Sequence, residues 1–305
     1  LSEKDTVSKK YLQDNARFAD IFNYYLYGGK QIILPEQLRP VDTASLGSPY
    51  GRDGNGRSIQ KYRDIIKIVS VMSDDHFTYM LLAAELQSET HYAMPPRIML
   101  YDALKYSEQI EQIARSHKNN KDKPENDGEF LSGFYKTDRL IPVITMTVYL
   151  KADKWDGPVS LHEMLSVEDR KMLEYIPDYK LNLISPAQIS DEDFDKFTTE
   201  LGTVFEFIKY TKDKDRLREL LTDSKKFGSL PRDAAEMIRV FGDLDIKLVE
   251  GKETIDVCKA VDDWTKELIS TGEARGEARG EARGEARGEA RGEARGEARG
   301  EARGR

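Results

Sequence analysis

The chain has 305 residues, 39% hydrophobic and 33% charged, the balance of a globular protein with a polar surface and room for one large domain plus an appendage. No apolar run approaches the roughly 18 residues of a transmembrane helix, and the single Cys258 excludes an intramolecular disulfide or a cysteine-rich zinc site. The formal net charge of −8 argues against a uniformly basic nucleic-acid binder, but the excess acid lies between 161 and 271, which leaves room for a local basic groove in the near-neutral N-terminal half.

The opening LSEKDTVSKKY has no apolar signal core, which predicts a chain that is not secreted and, with one cysteine, a reducing cytoplasm. A first residue of Leu1 instead of Met predicts a trimmed start. Phe18, Ile21, Phe22 and Tyr25 recur at helical spacing and predict a helix over 7–27, stopped by Gly28 and Gly29. The stretch 40–60 is rich in Gly, Ser, Pro and Asp and reads as a loop. Next, 64–72 (DIIKIVSVM) is dense in β-branched residues, 73–76 reads as a turn, and 77–86 returns as a second strand. An apolar face of Ile98, Tyr101, Ala103, Leu104 and Ile110 predicts a helix over 94–117. A polar loop follows at 118–130. A buried strand is expected over 141–150, and 180–184 is a candidate fourth. From 190 to 270 the pattern is mostly helical, with Asp191 and Glu192 at one helix start and Pro231 in the first turn of another. This order of helices and strands predicts an α/β core with a helical C-terminal extension.

The tail is separate. From Gly272 the unit Gly-Glu-Ala-Arg repeats to Arg303. Gly at every fourth position costs about 1 kcal/mol each relative to Ala in a helix. The period stacks Glu on Glu and Arg on Arg at i,i+4, with no Glu–Arg pair at i,i+3 or i,i+4. A solvated, frayed helix or disorder, self-association, and an arginine-bearing DNA tether are the three readings of it.

One constellation carries chemistry. Cleaving a phosphodiester with a metal needs oxygen ligands that hold Mg²⁺ against the phosphate, and Mg²⁺ takes one or two protein carboxylates while keeping several waters. Two adjacent strands supply this if one opens on a carboxylate and the next ends on a carboxylate followed two residues later by a polar group, since i and i+2 share a face. Asp64 opens the first strand here. Glu85 and Gln87 end the second, with Leu86 between them pointing into the core. Glu85 follows the apolar run FTYMLLAA, where a charge is costly unless paired or ligating. The alternative is that Glu85 and Gln87 are ordinary strand-end residues and Asp64 a cap.

Residues 62–106, YRDIIKIVSVMSDDHFTYMLLAAELQSETHYAMPPRIMLYDALKY, resemble the core of the recombination-promoting nuclease and transposase family of the PD-(D/E)XK superfamily. The stretch 91–106 is the most specific part, and FADIFNYYLYGG (18–29) is similar to the family's leading helix. The resemblance covers about 11–150 and extends loosely to 270. It implies a restriction-endonuclease-like mixed sheet flanked by helices over 1–155, a helical extension over 156–271 and a low-complexity tail over 272–305. It also implies Mg²⁺ (with Mn²⁺ as a substitute) as cofactor and DNA as substrate in recombination or mobile-element activity. Asp64 and Glu85 take the two acidic ligand positions, the Leu86 carbonyl could add a ligand, and Gln87 stands where the wider superfamily has Lys. A neutral amide orients water but supplies no positive charge. Arg97, Tyr101 and Lys105, at i, i+4 and i+8 on one helix face, could contact phosphate or supply a displaced lysine, or could simply be one face of an amphipathic helix. Asp20 on the leading helix is a further candidate metal ligand, or a surface charge beside Asn23. His91 is a candidate phosphate contact or base, or a structural loop histidine. Asp74-Asp75-His76 imitates a metal cluster but reads as a turn, and His117 and His162 have no ligand-spaced partner. Rival readings are a catalytically weak DNA-binding protein with the same groove and a non-enzymatic helical interaction protein. The oligomeric state is left open, a homodimer included.

Overall fold

A computed structural model describes residues 2–41, 44–47, 59–62, 64–73, 76–222, 224–248, 251–266 and 269–271, with Arg275, Arg279, Arg283 and Arg287; at 44–47, 59–62, 72–73, 76–77 and 224 only the backbone is described. The predicted first helix is two: α1 (Glu3–Leu12) and α2 (Asn15–Tyr27). The break has a local cause. Asp14 caps α2, its carboxylate accepting the N–H groups of Ala16 at 2.9 Å and Arg17 at 3.1 Å, so the chain leaves the helix at Gln13 and restarts. Gly28 closes α2 in the left-handed conformation, with φ of 64°, a C-cap that Gly adopts without strain.

Five strands form a mixed sheet in the order β1 (Arg39–Pro40), β4 (Ile65–Ser73), β5 (His76–Gln87), β6 (Val143–Tyr149) and β7 (Asn182–Ile184). β4 and β5 are antiparallel, while β5–β6 and β6–β7 are parallel. The expected loop at 40–60 contains a separate antiparallel ribbon, β2 (Ala44–Gly47) with β3 (Ile59–Tyr62). Residues 48–58, and the turn expected at Asp74 and Asp75, lie outside the described residues. The crossover from β5 to β6 is carried by α3 (Met94–Asn120), which outruns its expected end, and by the short α4 (Asp127–Ser132) inside the expected polar loop.

Strand alternation divides the sheet into two faces. Ile65, Val69, Val71, Met80, Leu82, Ala84, Leu86, Met146 and Val148 join Phe18 and Phe22 in the main core. The opposite face carries Leu81, Ala83, Glu85, Thr145, Thr147 and Tyr149. There α3 packs, with Met94 and Ile98 against Tyr149 and Trp155. One charge interrupts the core face. Lys67 is buried, and its Nζ donates to the Gln13 carbonyl and Asn15 Oδ1, both at 2.6 Å, above the Phe18 ring. Burial pushes its pKa down to about 8.

The C-terminal region is helical as expected: α5 (Leu201–Tyr210), α6 (Lys214–Leu221), α7 (Ser224–Phe227) and α8 (Arg232–Phe241), then a further helical stretch at 257–266. Asp191–Lys196 forms a 3₁₀ turn, and Pro231 is the residue before α8, not in its first turn. A short pair, β8 (Leu230–Pro231) with β9 (Thr254–Ile255), was not foreseen. Leu201, Val204, Phe205, Phe207, Met237 and Ile238 share one hydrophobic cluster with Tyr11, Leu12, Phe18 and Phe22. The four described tail arginines are helical and exposed. Among the described residues no helix is long and apolar enough to cross a membrane.

Arg17 ties this assembly together. Its guanidinium lies over the Tyr11 ring at 4.1 Å, pairs with Glu200 ahead of α5 at 2.5 Å, and forks onto both Asp233 oxygens at the start of α8 at 2.5 and 2.9 Å. Acids at helix starts are favoured by the helix dipole, and Arg17 joins two such acids to α2. Arg17→Met keeps the volume and removes the fork. It should lower unfolding free energy by about 2–4 kcal/mol, read as a lower urea midpoint, whereas a midpoint within error of wild type would show that the knot contributes nothing.

Candidate functional site

Asp64 directly precedes β4, and because Ile65 pairs with Ala84, the register sets Asp64 beside Glu85. Its Oδ2 accepts the Leu86 N–H at 2.9 Å. That bond fixes the carboxylate across the β4–β5 edge. Glu85 lies on the α3 face of the sheet and is 0% exposed. Its cation partner is Arg97 from the first turns of α3, Nη2 to Oε2 3.6 Å. Arg97 is held in turn by Tyr101, its Nε donating to the phenol oxygen at 3.1 Å and its guanidinium 5.5 Å from the ring centre.

Above these groups lies an open cavity of about 330 Å³ whose lining includes Asp5, Asp64, Gln87, Glu89, His91 and Arg97. A second cavity, about 520 Å³, shares His91 and Arg97 and continues past Pro96, Leu100 and Tyr101. The two form one groove with the guanidinium at their junction. His91 Nδ1 and the hydroxyl of Thr147, which pairs in register with Glu85, are buried and, among the described residues, without a hydrogen-bond partner.

Asp64, Glu85, Gln87, His91, Arg97 and Tyr101 are therefore gathered at one end of the β4–β5 pair. Two sequence candidates are not. Asp20 is buried elsewhere. Its carboxylate accepts hydrogen bonds at 2.7–3.2 Å from four donors, the N–H and hydroxyl groups of Thr198 and Thr199, which leaves it as the anchor of the turn before α5. Lys105 is also buried, with Nζ on Glu108 at 2.7 Å, and lines neither cavity. The helix spacing put it on the Arg97 face, but two further turns carry it back along the sheet, away from the strand end, to the level where Asp102 and Tyr106 meet Thr145 and Val143. Among the described residues, the cation beside Glu85 is Arg97.

It is α1, not the leading helix, that places an acid at the cavity, and that acid is Asp5. One oxygen accepts the Ser2 N–H at 3.1 Å as a capping box, and the other accepts the Ser88 hydroxyl at 3.4 Å, joining α1 to the end of β5. Its sequence signal, Ser-x-x-Asp ahead of a helix, marks a helix start and says nothing of a cavity. Glu89 at the rim pairs with Lys151 at 2.5 Å. Asp64, Glu85 and the Leu86 carbonyl are hard oxygen donors suited to Mg²⁺. Among the described residues no group of three His, Cys, Asp or Glu side chains converges on one point.

His117 does have partners, brought by the chain past α3. Nδ1 meets Asp122 at 2.8 Å and Nε2 meets Asp138 at 2.9 Å, with the ring stacked on Tyr135. His162 Nε2 lies 2.6 Å from the Ile176 carbonyl. No family model, no curated protein and no solved structure matches the chain.

Asp20→Asn should lose about 1–3 kcal/mol of stability while leaving divalent-ion binding, read by calorimetry, as in wild type. Asp64→Asn should do the reverse, and weakened ion binding in Asp20→Asn would return Asp20 to the site. Hydrogen bonds to Asp122 and Asp138 raise the His117 pKa. The stability this contributes is complete below the unfolded histidine value of about 6.5 and is lost as pH rises through the raised folded value. The melting-temperature gap between wild type and His117→Gln should thus be widest near pH 5–6 and close at alkaline pH. A gap that widens with pH contradicts the assignment.

Proposed function

We propose that this chain is a divalent-metal-dependent DNA endonuclease with a restriction-endonuclease-like core, of the recombination-promoting nuclease and transposase kind. The observation that carries the reading is the register that sets Asp64, which lines a groove with the Arg97 guanidinium, beside Glu85, which is buried beneath that guanidinium on the same face of the two paired strands. The helix–strand–strand–helix–strand order around a mixed sheet fits such a core. Asp64 and Glu85 would hold Mg²⁺, with the Leu86 carbonyl available beside them. The bound ion would polarise the scissile phosphate and acidify a water.

The chain's own residues have distinct tasks in this reading. The Leu86 N–H orients Asp64 through one oxygen and leaves the other for the ion. Gln87, two residues beyond Glu85 on the same face, orients water or a phosphate oxygen through its amide. Arg97 offers the planar donor fork that matches a phosphate, and Tyr101 holds it in place. His91 lines both cavities, where its ring is placed to meet the backbone of the nucleic acid.

A second reading rests on Gln87. Where the wider superfamily has a lysine, a neutral amide adds no charge to stabilise the transition state, which favours a DNA-binding protein with weak cleavage. Nicking of supercoiled plasmid in Mg²⁺ and in EDTA separates the two. Wild type should nick only with metal, and Asp64→Asn and Glu85→Gln should each lower the rate by about a hundredfold or more with unchanged far-ultraviolet circular dichroism. Binding without metal-dependent nicking would favour the second reading, and wild-type rates in both variants would remove the metal site altogether.

A further inference from the structure

We infer that Arg97 is a built-in counter-cation of Glu85 which the metal displaces, so that metal loading releases the guanidinium to the phosphate-binding groove. The inference rests on the reading of Asp64 and Glu85 as the metal ligands and adds an order of events to it.

A carboxylate with no solvent exposure needs a positive partner to remain ionised, and Glu85 has one in Arg97. The form of that partnership is unusual for arginine. At 3.6 Å it is longer than a hydrogen bond, and it lacks the two-pronged fork that arginine makes with a carboxylate when the two are built to stay together. The same chain shows the built version at Arg17, whose fork on Asp233 closes at 2.5 and 2.9 Å. Arg97 keeps its firm hydrogen bond for Tyr101. Its side chain is 32% exposed while Glu85 is enclosed, so the guanidinium sits as a partly wet cover over a dry acid, at the junction of both cavities.

Charge then dictates the sequence. Without metal, and counting the described residues, Asp64 and Glu85 bring two negative charges and Arg97 offsets one. A divalent cation offsets both, and Arg97 becomes a like charge beside it. Repulsion then favours the outward position, where Tyr101 still tethers the side chain and a phosphate would be its next partner. Lys105 cannot take the same part, since it is buried on Glu108. Metal and DNA would therefore bind with positive coupling, and by linkage each would strengthen the other.

The test titrates Mg²⁺ and Mn²⁺ alone into wild type, Arg97→Gln, Arg97→Lys and Asp64→Asn by calorimetry. It also measures binding of a short DNA duplex in EDTA and in Ca²⁺, a hard ion for the same oxygens. Removing a competing positive charge within about 4 Å should tighten metal binding on the order of tenfold or more in Arg97→Gln. Arg97→Lys, which keeps the charge, should stay near wild type. Duplex affinity should rise on adding Ca²⁺ in wild type, and that rise should largely vanish in Arg97→Gln. Metal affinity unchanged or weakened in Arg97→Gln, with binding abolished in Asp64→Asn, would overturn the displacement while leaving the metal site standing. No saturable metal binding in wild type would remove both. If Arg97→Gln is unfolded in EDTA, folding restored by Mg²⁺ supports the inference, and a chain unfolded with or without Mg²⁺ counts against it.

Discussion

The β4–β5 register is the constraint on which the rest of the molecule depends. Nine residue pairs, from Ser73 with His76 to Ile65 with Ala84, lock the two strands antiparallel. Side chains alternate across a strand, so a slip of one residue would turn every one of them to the opposite face. The register is held by burial on the core face, where Ile65, Val69, Val71, Leu82, Ala84 and Leu86 meet Phe18 and Phe22. With that face committed to the core, Asp64 and Glu85 are committed to the other, next to each other. The site follows from packing done on the far side of the sheet.

Buried charge is used differently in three places. Lys67 reaches from the sheet to the break between α1 and α2 and satisfies a carbonyl and an amide oxygen there, which fixes how the first two helices sit on the strands. Arg17 closes a full set of hydrogen bonds across three helices. Both make hydrogen bonds to fixed protein acceptors, and both are structural in character. Glu85 and Arg97 differ from them: the acid is dry, the base is half wet, and the distance between them exceeds a hydrogen bond.

Much of the candidate site was legible because its parts are local. Asp64 at the head of one β-branched run and Glu85-Leu86-Gln87 at the tail of the next can be read from period and strand length alone, and Arg97 from the helix that follows. Asp20 and Lys105 lie away from the groove for a shared reason. A helical period says which residues share a face but not how far along the axis the neighbouring strand ends, nor which loop arrives from elsewhere. Thr198 and Thr199 are nearly 180 residues away from Asp20 in the chain, and they take its carboxylate. Asp5 carries no local signal of a cavity, because its spacing to Ser2 marks only a helix start.

The sequence by itself determined the alternation of the strands, the long helix over the crossover, the helical C-terminal region and the polar repeat, because each is written in a period of two, of 3.6 or of four that neighbouring residues share. It also determined that one acid must stand at the end of an apolar strand. Tertiary structure alone decided the break at Asp14, the knot that Arg17 ties between α2, α5 and α8, the choice of Arg97 over Lys105 as the cation, and the arrival of Asp5 at the groove. These depend on which distant groups meet once the sheet is closed, and on the cost of leaving any of them dry and unpaired, a balance that no local pattern encodes.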